Sequence, residues 1–442
     1  MSPQLISIAV LAAIFLIGTL RSINLGALAF VAAFVVGTWV FEDHSPEILA
    51  GFPANLFVIL VGVTLLFAMA KSNGTVDWLV QWAVRAVRGR VAAIPWVMFA
   101  VSAALVALGA VSPAAVAIIA PIGMAFALRY HINPLMMGLM VVHGSAAGNF
   151  SPLGVLGVIT NGVVERSDIP GSPTFLFLSN AVFNLALAAV IYFALGGVAL
   201  IRQGKRATEE PVNEEDPTAT GNATSSAGSV GVATRTKPAV QTLTLNRDRT
   251  ITVLGMVGLA VGSLVFDLDV GLMAMTVAVV LALASPETAK DALGQVSWGV
   301  VLLICGIVTY VGVLEAIGTV DYLGTTIAAV SAPLLAALIV CAIGAIVSAF
   351  ASTTGILGAL IPLAVPLLGT GSIGAVGLVA ALSISASVVD SSPFSTNGAL
   401  VVANSPKDKQ DTVYRQLMIW GFSLVLIAPL LSWTVLVCMG GW

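Results

Sequence analysis

The sequence predicts an all-α, polytopic membrane protein built from two inverted repeats, each of five transmembrane helices plus one re-entrant hairpin. Three observations predict it: too little charge for a water-facing surface, a repeat between the halves, and cations confined to one set of loops.

The charge argument bounds the class. The chain of 442 residues is 58% hydrophobic and 9% charged, with a mean hydropathy of +1.04. Soluble domains carry about 25% charged residues, so most of this surface must face lipid. A net charge of −3 gives no footprint for a nucleic-acid partner. Cys305, Cys341 and Cys438 lie in apolar stretches without CxxC spacing and read as small buried hydrophobes. The opening MSPQLISIAVLAAIFLIGTLRS has no basic n-region and no A-x-A site, so a retained first span is expected.

Along the chain, residues 1–201 form the first repeat, with spans near 4–20, 24–41, 54–71 and 174–201. Between them lie two unusual apolar segments, 91–128 and 134–163. Residues 202–248, rich in Thr, Ser, Ala, Gly and Glu, have no apolar periodicity and read as a disordered linker. Residues 249–442 form the second repeat, with spans near 250–266, 270–285, 297–315 and 413–440 and unusual segments 331–368 and 375–404.

The repeat is visible in matched residues. GTVDWL at 74–79 matches GTVDYL at 318–323, and NLGALAFVAAFVVG at 24–37 parallels DVGLMAMTVAVVLA at 269–282. Gly62 pairs with Gly306, Pro121 with Pro362, and Ser151-Pro152 with Ser392-Pro393. Internal repeats of this kind are a transporter architecture.

Charge predicts the orientation. With the N-terminus outside and five crossings per half, 17 of the 18 Lys and Arg fall on the cytoplasmic side and only Arg166 outside. The outer loops carry Glu42, Asp43, Glu47, Asp168, Asp267 and Asp269. This is a positive-inside pattern. An odd number of crossings inverts the second half. Both termini are then outside and the linker is cytoplasmic.

The same cations predict the hairpins. Segment 91–128 is flanked by Arg90 and Arg129 on one side. Its 38 residues make about 57 Å of helix, short of the about 60 Å that two crossings need before any turn. A re-entrant hairpin with its tip near Gly109–Ala114 follows. Its counterpart, 331–368, is expected to enter from the opposite side, with its tip near Ser348–Gly355. Irregular backbone at membrane depth needs protein or a watery cavity around it.

HGSAAGNFSPLG at 143–154 and SASVVDSSPFSTNG at 385–398 are polar and Gly- or Ser-rich in mid-span. Each carries Ser-Pro, which suits a first helical turn, so each span is expected to break with a half-helix starting near Ser151 or Ser392. Half-helix N-termini carry unpaired N–H groups and partial positive charge. A pair of them makes an anion site without Lys or Arg. The competing reading is two kinks that only shape packing. At the tips, Ser112, Ser352, Thr353 and Thr354 offer oxygens to a carboxylate or a cation, or bond only to their own helices. Two ionisable groups lie deep and are functional candidates by default. Asp390 is a candidate for binding Na⁺, for accepting a coupled proton, or for capping a half-helix. His143 is a candidate for donating to a carboxylate, for relaying a proton, or for a structural bond to a backbone carbonyl. The stretch 77–90 reads as an amphipathic interfacial arm. No HExxH, GxSxG or Walker A sequence occurs, so no enzymatic or ATP-driven activity is expected.

The stretches AGFPANLFVILVGVTLLFA, NGTVDWLV, GAVSPAAVAIIAPI, NPLMMGLMVVHG, SAFASTTGILGALIPLAVP and VVDSSPFSTNGALVVAN carry a resemblance that spans nearly the whole chain outside 202–248. The sequence resembles the MatC family of dicarboxylate (malonate) carriers, in the ion transporter superfamily that includes the divalent anion:sodium symporters. That resemblance implies a homodimer whose protomers hold a scaffold domain and an elevator-type transport domain. In the symporters each hairpin tip carries Ser-Asn-Thr beside a Na⁺ site. Here Ser352-Thr353-Thr354 stands in the second tip without the Asn, and Val111-Ser112-Pro113 in the first.

The resulting substrate-binding candidates are Ser112, His143, Ser145, Asn149, Ser352, Thr353, Thr354, Ser392, Thr396 and Asn397. The cation-ligand candidates are Gly109, Ser112, Gly148, Ser348, Ser352, Thr354, Asp390 and Ser391. The expected activity is import of malonate or a similar small dicarboxylate across the bacterial inner membrane, with Na⁺ ahead of H⁺ as coupling ion and no other cofactor. A cation/proton antiporter using Asp390 is the alternative.

Overall fold

The computed structural model describes residues 3–21, 23–41, 45–86, 90–202, 245–266, 268–319, 322, 332–350, 353–368 and 373–440. The expected linker falls almost wholly outside these residues, as do Ser352 and parts of the repeated GTVDYL and of segment 331–368.

The described residues are helical throughout, with no strand among them. The first half runs α1 (Pro3–Leu20), α2 (Leu25–Phe41), α3 (Ser45–Ala50), α4 (Ala54–Ser72), α5 (Thr75–Ala86), α6 (Ile94–Ala107), α7 (Ser112–Arg129), α8 (Pro134–Gly148), α9 (Val155–Arg166), α10 (Pro173–Ala194) and α11 (Gly197–Arg202). The second runs α12 (Arg247–Phe266), α13 (Val270–Ala284), α14 (Pro286–Ala289), α15 (Trp298–Ala316), α16 (Pro333–Phe350), α17 (Thr353–Leu368), α18 (Ala375–Val388), α19 (Thr396–Asn404) and α20 (Gln410–Ser432), which continues as a π-helical turn over Trp433–Cys438. Among the described residues, six helices are long and apolar enough to cross a membrane, and several shorter apolar helices accompany them. The chain is a multi-pass membrane protein. Its outer faces carry side chains such as Leu283, Ile419 and Val265 in the open, as a lipid-facing surface does.

Helix ends follow local chemistry. The expected span 174–201 is two helices, because Gly196 adopts φ 106° and ends α10 in a left-handed turn. The half-helices start at Val155 and Thr396, four residues after the serines of the Ser-Pro dipeptides expected to open them. A residue before proline is pushed into extended backbone, and Ser392 is extended at φ −72°, ψ 153°. The dipeptides therefore lie inside the breaks, and Gly154 and Ser395 take the N-cap positions.

The helices pack in two groups. In one, α4 pairs with α13 and α2 with α15, with α1 and α12 alongside. In the other, α6, α7 and α10 surround α8, and α16, α17 and α20 surround α18. The first group is held by close backbone approach between the halves. A Cβ on Gly26 would lie 1.9 Å from the Leu302 carbonyl oxygen, and one on Gly306 2.0 Å from the Gly26 carbonyl oxygen. Gly62 of α4 meets Gly271 of α13 in the same way, at 2.7 Å. The third long helix of each half thus seats on the second helix of the other, through a glycine contact in both cases.

Candidate functional site

The first hairpin and the two broken spans turn at one place, and α17 of the second hairpin starts there. The turn between α6 and α7 is closed by Gly109, at φ 112°, which only glycine adopts without strain. A Cβ there would also meet Val63 Cγ1 at 2.4 Å. This turn delivers the N-terminus of α7. The break after α8 delivers the N-terminus of α9, the second hairpin delivers that of α17, and the break after α18 delivers that of α19. A cavity of about 280 Å³ lies among them, lined by Ser112 and Pro113 from α7, Val155 and Leu156 from α9, Thr353 and Thr354 from α17, and Thr396 and Asn397 from α19. Asn149, Asp390, Phe394 and Ser395 line it from the two breaks, Ala110 and Val111 from the first tip, and Val300 from α15 of the other helix group.

Four helix N-termini therefore face one space. No side chain caps the N-terminus of α7 or α9. The Ala114 N–H bonds to the Val111 carbonyl and the Gly157 N–H to the Asn149 carbonyl, and Pro113 has none, so Ser112, Val155 and Leu156 supply the first-turn N–H groups open to a ligand. Each terminus carries up to about half a positive charge. Among the described residues, no Lys, Arg or His lines the cavity, and Asp390 is its one ionisable side chain. The arrangement can bind an anion through backbone dipoles and hydroxyls, and it places a carboxylate beside that anion.

The family comparison fits this geometry. Residues 1–149 match the family model of the dicarboxylate carrier protein MatC N-terminus. That stretch ends at Asn149, so it contains the first hairpin and the first arm of the broken span. No curated protein matches the sequence. Among solved structures, the YdaH transporter of Alcanivorax borkumensis superposes with a TM-score of 0.59 at 13% identity, covering 98% of each chain. This likeness is one of fold.

The MatC-like first tip is tied to the second half by side chains. Asn397 Nδ2 donates to Ser112 Oγ at 2.9 Å. Ser112 and Ser145 share a 2.8 Å hydroxyl contact, and Ser145 also donates to the Val142 carbonyl at 2.9 Å. With the Ser145 proton on that carbonyl, the Ser112 proton goes to Ser145. Ser112 then meets a ligand as an acceptor or through its backbone N–H. At the second tip Ser348 and Thr353 share a 2.7 Å hydroxyl contact, and the Thr353 hydroxyl lies within hydrogen-bonding reach of the Asp390 carboxyl group.

Several expected ligands lie elsewhere. His143 is fully buried and off the cavity. Trp420 Nε1–H donates to its Nε2 at 3.0 Å, and because indole only donates, Nε2 must accept. Nδ1 then carries the proton and donates to Asn184 Oδ1 at 3.0 Å. Asn184 Nδ2 donates onward to the Asn180 side chain and carbonyl. Both imidazole nitrogens are spent on joining α8, α10 and α20. Ser392 is buried behind the break, where a Cβ on Gly421 of α20 would touch it at 2.5 Å. Ser391 donates to the Val388 carbonyl. Gly148 packs on α6, its missing Cβ position 2.3 Å from the Ala103 carbonyl oxygen. Of the remaining candidates, Ser112, Asn149, Thr353, Thr354, Asp390, Thr396 and Asn397 share the cavity. Ser145 and Ser348 support it from behind, and Ser352 lies outside the described residues. The apolar lining, Val155, Leu156, Val300 and Phe394, was not among the expected residues. Of these only Phe394, next to Ser392-Pro393, had a sequence signal.

Proposed function

We propose that this chain is a secondary transporter of a small dicarboxylate, with malonate as the leading substrate, coupled to Na⁺ in preference to H⁺. The observation that carries the proposal is the convergence of four helix N-termini on a cavity with no cationic side chain among the described residues. The carboxylates of a short diacid match paired helix N-termini, and its methylene matches the Val155, Leu156, Val300 and Phe394 wall. The MatC match over residues 1–149 and the fold shared with a transporter support the same reading.

Asp390 supports cation coupling. A dianion entering beside a carboxylate is repelled unless a positive charge enters too. The Asp390 carboxylate and the Thr353 and Thr354 hydroxyls are hard oxygen donors of the kind that hold Na⁺. Val300 belongs to the α2–α4–α13–α15 group, and every other lining residue to the hairpin group or its breaks. Movement of one group against the other, carrying the cavity, is the elevator-type motion we assign. The inverted relation of the halves, external termini, a homodimer and a bacterial inner-membrane location belong to the same proposal.

Uptake of labelled malonate into proteoliposomes tests it. An inward Na⁺ gradient is expected to drive accumulation. Absence of uptake under every Na⁺ or H⁺ gradient overturns the reading. Dicarboxylate-independent Na⁺/H⁺ exchange that is lost in Asp390→Asn would instead establish the antiporter reading, which the single cavity carboxylate also permits.

A further inference from the structure

A second cavity, of about 270 Å³, adjoins the first. Its walls come from α4 (Thr64, Phe67, Ala68 and Lys71), from the first hairpin tip and α7 (Gly109, Val111 and Ala114), and from Gln295 and Ser297 ahead of α15. Val111 lines both cavities. The tip, residues 109–114, is therefore the partition between them. It is a thin one. Ala110, Val111, Ser112 and Pro113 face the first cavity, while Gly109, Val111 and Ala114 face the second.

The second cavity has a defined mouth. Lys71 and Gln295 are both exposed, and Gln295 Nε2 donates to Ser72 Oγ at 3.3 Å. This mouth lies on the face that carries the linker ends. Asn73, just after α4, donates to Thr252 Oγ1 of α12 at 2.6 Å, and Arg249 donates to the Asn73 carbonyl. At the other end of α4 the described residues pack more tightly. There Arg166 at the end of α9 donates to the Gly51 carbonyl at 2.9 Å, and the space beside Glu315 is only about 20 Å³.

Among the described residues, Lys71 is the one cationic side chain lining either cavity, and no carboxylate lines the second. We propose that this cavity is an entry vestibule and that Lys71 is an anion-landing residue, which holds a dicarboxylate at the mouth before it passes the Val111 tip. The inference rests on the transport reading above. It adds an encounter site that is separate from the cavity where the helix termini converge. The division of labour is physical. A fixed cation inside the binding cavity would hold the anion too firmly for release, whereas a solvated one at the mouth raises local substrate concentration and is screened by salt. A charge at the rim acts on the rate of association more than on affinity.

Association of labelled malonate with the detergent-purified full chain tests this, since both faces are then open. Lys71→Gln is expected to slow association about fivefold at low ionic strength, the weight of one nearby charge in water, with Lys71→Arg restoring it. The deficit is expected to close as salt rises to about 1 M, where screening acts within a few ångströms. Lys290→Gln, an exposed lysine paired with Glu287, serves as the control and should leave the rate unchanged. An association rate in Lys71→Gln equal to wild type at every salt concentration overturns the inference alone. A wild-type chain that binds no dicarboxylate overturns the transport reading as well.

Discussion

Asn397 and Ser112 are separated by 285 positions in sequence and joined by a 2.9 Å hydrogen bond. The bond ties the N-terminus of α19 to that of α7, so two of the four termini around the cavity are set in place by each other. Both residues are buried. Removing Ser112 leaves the Asn397 amide donor unpaired at a cost of about 1–3 kcal/mol, whereas removing Asn397 leaves Ser112 its contact with Ser145. Ser112→Ala should weaken malonate binding about tenfold, on the scale of that cost, and Asn397→Ala should weaken it less. The double variant should be little worse than Ser112→Ala alone, since that change already loses the Asn397 bond together with the Ser145 contact. Equilibrium binding on the four proteins of the cycle measures this, and full additivity would show that the two residues act independently.

Asp390 supplies the second prediction. If its carboxylate answers the coupling cation, malonate affinity in wild type depends on Na⁺, by a factor in the usual range of about 5–150 for coupled sites. In Asp390→Asn the dependence is expected to vanish. Binding measured with Na⁺ and with a large organic cation should then give the same dissociation constant. A Na⁺ dependence that survives in the variant would place the cation on other oxygens.

His143 predicts a separation of stability from transport. Trp420→Phe keeps the ring that packs edge-on against the imidazole, with centroids 5.8 Å apart, and removes the N–H that satisfies Nε2. An unpaired buried acceptor costs about 1–3 kcal/mol. The variant should melt earlier in detergent and transport malonate with an unchanged KM. A raised KM with an unchanged melting temperature would return His143 to the binding machinery.

What the sequence shows of this protein depends on the physical origin of each feature. Hydropathy and Pro or Gly punctuation are local, so the long helices, the turn at Gly109 and the breaks at 149–154 and 389–395 stand close to their expected places. The hydroxyls of Ser112, Thr353 and Thr354 were found because polar atoms in an apolar run are costly and conspicuous. Side-chain direction is not local. His143 and Asn149 sit in one polar stretch, yet α8 turns the imidazole toward Asn184 and Trp420 while Asn149, in the break, reaches the cavity. Val300 and Lys71 look like any residue near the end of a span. Their positions beside the cavities come from how α15 and α4 pack against the first tip, which no spacing rule encodes.

The glycine contacts between the halves give the last prediction. Gly306 of α15 lies where an added Cβ would be 2.0 Å from the Gly26 carbonyl oxygen. Backbone cannot step aside as a flexible side chain can, so Gly306→Ala must push α15 away from α2. Overpacking of this kind costs about 1–3 kcal/mol, occasionally more. Gly358→Ala on α17 is the matched comparison, because its nearest neighbour would be the Ile307 side chain at an ordinary 3.5 Å. Gly306→Ala should lower the melting temperature of the purified protein and its yield from membranes, while Gly358→Ala should stay near wild type. Equal melting temperatures for the two variants would mean that the α2–α15 contact yields easily. That result would argue against a rigid scaffold, since a bundle that moves a cavity past a fixed partner needs this contact to hold its spacing.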